Sequence, residues 1–195
     1  MEHTNKYSSF AGKRLIASGD LESILLQTKH CLEQGEDAPV LVFDDSNGQQ
    51  IDFDFRGSSE EVIDRLATHP HLVAGEAAVA RPGPGRPKLG VVCREVSLLP
   101  RHWQWLEQQP QGASAALRRL VDEARKQDPE GERLRLARDA AAKFMWTMAG
   151  DLPGFEEASR ALFAGERARL DTLISEWPED VRRHVLRLLG VDPVV

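Results

Sequence analysis

The sequence predicts an α+β protein: a small N-terminal α/β unit with a hairpin, a Pro/Gly linker, a strand-helix-helix segment and a C-terminal helical bundle. Three observations predict it. Short β-rich runs interrupted by Asn-Gly and Gly occupy the first third, prolines and glycines crowd residues 82–90, and apolar residues recur at helical spacing from residue 128 onward. The boundaries drawn from these shifts are 1–74, 75–90, 91–127 and 128–195.

Within the first unit, residues 9–17 read as a short strand broken at Gly12, and Leu21, Ile24, Leu25, Thr28 and Leu32 repeat at helical spacing until Gly35. Residues 40–44 and 50–55 flank Ser46-Asn47-Gly48, a turn whose Asn-Gly pair tolerates positive φ. Ile51, Phe53 and Phe55 fall on one side of the second run and Asp52 and Asp54 on the other. Ser58 and Glu61 have the spacing of a capping box, opening a helix with Val62, Ile63 and Leu66 as its apolar stripe. The unit reads as β-α-β-β-α.

Asp44, Asp45, Asp52 and Asp54 raise the question of a metal, because clustered carboxylates are hard-oxygen ligands. Their spacing does not fit a calcium loop, since aligning Gly48 with the loop glycine puts Phe43 at the first ligand position. These acids are expected to form a solvated face, or to lie against the basic segment and compete there with phosphate.

Charge is segregated along the chain. Residues 1–80 hold 6 Lys/Arg against 14 Asp/Glu, residues 81–127 hold 9 against 4, and residues 128–195 hold 10 against 13, within a net charge of −6. A polyanion is attracted only by the middle third, and the overall acidity argues against a protein that coats nucleic acid indiscriminately. Gly85-Arg86-Pro87-Lys88 resembles the core of an AT-hook, in which flanking prolines keep the backbone extended so that arginine enters a narrow minor groove; the same four residues also read as a charged hinge.

Residues 91–99 are rich in β-branched side chains, and Pro100 suits the first turn of a helix carrying Trp103 and Leu106. Pro110-Gln111-Gly112 breaks that helix. Ser114, or Ala113 before it, opens a second one with Leu117, Leu120, Val121 and Ala124 in one stripe and Arg118, Arg119 and Arg125 outside it. The order strand, Leu-Pro, helix, Gly-x-Ser, helix over residues 98–124 is similar to that of ribbon-helix-helix repressors of the Arc/MetJ type. In that superfamily strands from two chains pair and enter the major groove, while the second helix's N-terminus holds a phosphate. The resemblance implies Arg94 and Ser97 as base readers and the backbone around Gly112, Ala113 and Ser114 as a phosphate anchor, with Arg86, Lys88, Arg118 and Arg119 supplying further positive charge. It departs from the pattern in that, with Val92, Val96 and Leu98 facing inward, Glu95 shares the outward face with Cys93 and Ser97 while Arg94 falls on the opposite side, and Leu98-Leu99 leaves the register open by one residue.

A second resemblance spans nearly the whole chain. FAGKRLIASG, VFDDSNGQQIDFDFRG, GRPKLGVVCREVSLLPRHWQWL and GFEEASRALFAGE are similar to segments of the bacterial domain-of-unknown-function family numbered 2239, a family that implies no catalytic residues.

From Asp128-Pro129 the chain reads as helices: one with Ala137, Ala140, Ala141, Phe144, Met145 and Met148 on a face, one with Phe155, Ala158 and Leu162, one with Leu170, Leu173, Ile174 and Trp177, and one from Pro178 with Val181, Val185, Leu188 and Leu189 inside. Cys31 and Cys93 form no CxxC pair and are expected to be buried. There is no nucleophile elbow, phosphate-binding loop, dinucleotide fingerprint or HExxH helix, so neither enzyme chemistry nor a cofactor is expected. With no long apolar run and no secretory pattern, a cytoplasmic protein without a membrane partner is expected. The sequence reading is a homodimeric DNA-binding transcriptional regulator; the alternative is a non-catalytic adaptor or RNA-associated factor that binds a protein partner through its acidic N-terminal unit, with the basic segment as a tether.

Overall fold

The computed structural model describes residues 7–70 and 94–190. Met1–His71 together with Leu134–Val195 form one compact unit, and Leu72–Arg133 form a second. The first unit begins with a hairpin, β1 (Tyr7–Ala11) and β2 (Arg14–Gly19), where the sequence suggests a single broken strand. Gly12 accounts for the difference, because its φ of +55° reverses the chain there, and its N–H bonds to Pro39 O at 2.9 Å. With β3 (Val40–Asp44) and β4 (Gln49–Ile51) these strands make an antiparallel sheet in the order β2-β1-β3-β4. A bulge at Ser9/Phe10 leaves Ile16 of β2 without an opposite residue.

Both faces of this sheet are covered. Tyr7, Ala17, Val42 and Ile51 pack with Ile24 and Leu25 of α1 (Leu21–Glu33) and Val62 of α2 (Ser59–Asp64), which continues as a 3-10 turn over Arg65–Thr68. Asp20 caps α1 by accepting from Ser23 N at 2.9 Å, and the Ser58–Glu61 capping box forms as its spacing predicts. Thr28, fully buried on α1, shares a hydrogen bond of 2.7 Å with Ser9 and so ties helix to sheet.

Phe10 and Phe43 point to the opposite face and enter the core of the C-terminal helices. These are α5 (Pro129–Ala149), α6 (Phe155–Ala164), α7 (Arg167–Leu173) and α8 (Glu179–Leu188). Phe10, Phe43 and Phe144 form a mutually packed trio with ring centroids 5.0–6.0 Å apart. The acidic α/β unit and the helical bundle drawn separately from sequence therefore share one core. A sheet with apolar residues on both faces must bury both, and the bundle supplies the second cover. Polar ties reinforce the seam: Lys13 Nζ lies 2.8 Å from Asp151 and also reaches Met148 O, and Asp180 accepts from Leu15 N at 2.9 Å.

The second unit contains α3 (Pro100–Glu107) and α4 (Gly112–Gln127), and α5 begins within it, opened by Asp128, whose Oδ1 accepts from Gly131 N at 2.8 Å. The Pro/Gly linker of residues 75–90 lies outside the described residues.

Candidate functional site

The central segment carries the residues that the sequence proposes for nucleic acid. Arg86 and Lys88 lie outside the described residues. Arg94 and Ser97 are described, and both are exposed, but residues 94–99 form no strand. A β segment needs a neighbour for its backbone donors and acceptors, and these residues pair with no other described strand. The expected strand register is therefore undefined in the single chain.

Pro100 occupies the first turn of α3 as predicted, and the turn into α4 is made by Gln111 and Gly112, both left-handed at φ +73° and +79°. Gln111 is the only non-glycine residue with positive φ among those described. Because α4 starts at Gly112, Ser114 falls inside its first turn, so the expected serine cap does not form; no side chain caps this helix. Ser114 instead accepts at Oγ from Arg118 Nη2 at 3.2 Å, while Arg118 Nε donates to Ser114 O at 3.1 Å. Ser114, Arg118 and Arg125 thus share one face, with Arg119 about 100° away and 3.8 Å from Glu123. Arg94, Arg101 and Arg125 have no ion-pair partner among the described residues. The stripe beside them is exposed: Leu120 is 40% and Val121 56% accessible, with Trp103 and Trp105 of α3 also open.

The acidic cluster divides: Asp52 and Asp54 are exposed, as a solvated face requires, whereas Asp44 and Asp45 are drawn inward. Asp44 is buried and accepts from Ser46 N at 2.9 Å and Asn47 Nδ2 at 3.0 Å, holding the turn. Asp54 accepts from Arg56 Nε and Nη2 at 2.9 and 2.7 Å, and these bonds hold its carboxyl well below the usual carboxylate range. Asp45 enters a largely buried network: its Oδ2 accepts from Ser8 Oγ at 2.8 Å and Arg187 Nη2 at 2.9 Å, and its Oδ1 lies 3.3 Å from His184 Nε2. The two facing atoms of Asp45 and His184 have no hydrogen-bond partner of good geometry. Burial pushes the His184 pKa down, Asp45 opposes that shift, and Arg187 adds to it. No group of three or more His, Cys, Asp or Glu among the described residues is placed to hold a metal, and no described helix is long and apolar enough to cross a membrane.

A family model described as Uncharacterized protein conserved in bacteria (DUF2239) matches residues 6–189. The chain belongs to this family. No curated protein and no solved structure matches it. The match spans both units of this DUF2239 protein, from the first strand to the last helix. Sequence reading missed the Ser8–Asp45–His184–Arg187 network because its members come from β1, the turn after β3 and α8, and only the fold brings them together. The one local signal was the His184/Arg187 pair at i, i+3 on the last helix. Cys31 is half-buried and accepts from Arg14 at 3.7 Å, rather than being fully enclosed as expected; Cys93 lies outside the described residues.

Proposed function

We propose that this DUF2239 protein is a non-enzymatic, homodimeric DNA-binding regulator that uses its central segment in ribbon-helix-helix fashion. The observation that carries the reading is the surface of α4, where an open apolar stripe through Leu120 and Val121 runs beside the face bearing Ser114, Arg118 and Arg125. A second copy covering the stripe leaves the arginines outward, and antiparallel pairing of residues 94–99 between copies supplies the hydrogen bonds that this segment lacks alone. The uncapped first turn of α4 supports phosphate contact, because its amides and the helix dipole favour an anion. Excess positive charge in residues 81–127 of an otherwise acidic chain supports the same partner.

The test is fluorescence anisotropy with pooled genomic duplexes across a salt series. Wild type is expected to bind at low salt with affinity falling steeply as salt rises, and a variant carrying Arg86→Gln, Lys88→Gln, Arg118→Gln and Arg119→Gln is expected to lose binding. Absence of wild-type binding at low salt rejects the reading. The adaptor reading draws support from Trp146, 75% exposed on α5, and Phe163, 59% exposed on α6, which offer apolar surface on the first unit; proteins co-purifying without nucleic acid would favour it.

A further inference from the structure

The helices of the first unit line a half-open cavity of about 180 Å3 that the nucleic-acid reading does not use. Its floor is apolar, made by the buried Ala161, Leu162 and Leu170, and Leu134 and Leu189 continue it toward solvent. Two cations stand in its wall, Arg138 and Arg167. Arg167 has a partner, Asp171, with Nε 3.4 Å from Oδ1. Arg138 does not. On these helices Arg135, Arg160, Arg169, Arg183 and Arg187 each face a carboxylate, whereas the half-buried Arg138 and Arg182 face none among the described residues, and of these two only Arg138 lines the cavity.

Gly165 shows how closely that guanidinium is accommodated. With φ +72° it ends α6, and a Cβ there would stand 3.0 Å from Arg138 Nη2. A half-buried cation against hydrocarbon, without its own acid, is matched best by an anion from outside.

We propose that this cavity binds a short alkyl monocarboxylate, with its carboxylate on Arg138, assisted by Arg167, and its chain along Leu162, Leu170 and Leu189. The chemistry narrows the ligand in three ways. No acidic residue lines the cavity, so an amino acid's ammonium finds no partner. A neutral alkyl chain leaves Arg138 uncompensated. The volume lies below the roughly 300 Å3 at which pockets for drug-sized ligands begin, so the chain is short.

Hexanoate, hexanol, hexylamine and norleucine would be titrated separately into the full-length protein and followed by calorimetry and saturation-transfer NMR. Hexanoate is expected to bind saturably and more tightly than the other three. Arg138→Gln is expected to weaken it by about tenfold or more, the scale of one lost charge-assisted hydrogen bond, and Arg138→Lys is expected to retain part of the affinity. Unchanged melting of both variants establishes that they remain folded; if either unfolds, Leu134→Trp, which obstructs the mouth from an exposed position, is expected to abolish hexanoate binding in its place. Hexanoate that fails to saturate up to its solubility, binds no better than hexanol, hexylamine or norleucine, or is indifferent to a folded Arg138→Gln or to Leu134→Trp overturns the proposal.

Discussion

Arg187 Nη2 stands 2.7 Å from His184 Nδ1, and since a guanidinium only donates, that contact makes Nδ1 the acceptor and puts the imidazole proton on Nε2. Nε2 faces Asp45 Oδ1 at 3.3 Å without a hydrogen bond of good geometry, so the neutral ring stands between a carboxylate and an arginine inside the seam between sheet and bundle. The ring also lies 4.2 Å from Phe144 and 5.2 Å from Phe10, centroid to centroid.

The first prediction follows from this tautomer. The folded pKa of His184 is depressed below its ordinary value of 6.5, burial being the largest cause, so the unfolded chain binds the proton more readily than the native one. Its contribution to stability is therefore full above pH 6.5 and is lost progressively as pH falls from there toward the folded pKa. Melting temperature is expected to drop over that window in wild type and to drop less in His184→Gln. Parallel pH profiles for the two proteins would show that His184 does not carry the dependence.

Arg187→Met tests the other end of the network. It removes the Nη2 group, whose two N–H bonds are shared among Asp45, Ser8 and His184, and leaves a nearly buried carboxylate without its cation. Removing one partner of a buried ion pair costs about 3 kcal/mol or more. Urea denaturation is expected to show a loss of that order, with Asp45→Asn combined with Arg187→Met costing less than the sum of the single changes. Additive costs would mean that the two residues do not act as a pair.

Local features were legible where neighbours in sequence determine them: the Ser58–Glu61 box, Pro100 at the first turn of α3, the Asn47-Gly48 turn and the stripe from Ala140 to Met148 on α5. Gly12 was misread because one glycine between two β-rich runs is compatible with a kink as well as a reversal, and only pairing of β1 with β2 distinguishes them. Asp44 and Asp45 looked solvated because consecutive acids usually are. Their burial depends on Ser46, Asn47 and, from 142 residues away, Arg187. Residues 94–99 have strand composition, but composition cannot supply the partner that a strand requires.

A third prediction separates close approach from backbone strain. Gly48 has φ +70°, and a Cβ on it would stand 2.0 Å from Ala140 O, so the hairpin turn meets the α5 backbone directly. Gly12 has φ +55°, but a Cβ there meets only Ala38 Cβ at 3.6 Å, an ordinary contact. Gly12→Ala is expected to cost about 1 kcal/mol, the left-handed penalty alone, whereas Gly48→Ala is expected to cost at least about 3 kcal/mol because backbone must also move. Equal losses in thermal denaturation would contradict the docking of the turn on α5.

The last prediction separates assembly from nucleic-acid contact on α4. Val121 is 56% exposed within the apolar stripe, and Arg118 and Arg125 share the neighbouring face. If a second copy covers the stripe, Val121→Glu puts a charge into that interface; sedimentation is expected to give a monomer, and duplex affinity to fall because a monomer presents half the contacts. Arg118→Gln with Arg125→Gln is expected to leave the dimer intact and remove up to four phosphate contacts per dimer. Each lost contact lowers the slope of log K against log salt by about 0.9, so the full change is about 3.6, enough to distinguish charge loss from a general weakening. Wild type that sediments as a monomer at micromolar concentration would remove the dimer from the proposal, and a double arginine variant with an unchanged slope would move the nucleic-acid contact off α4.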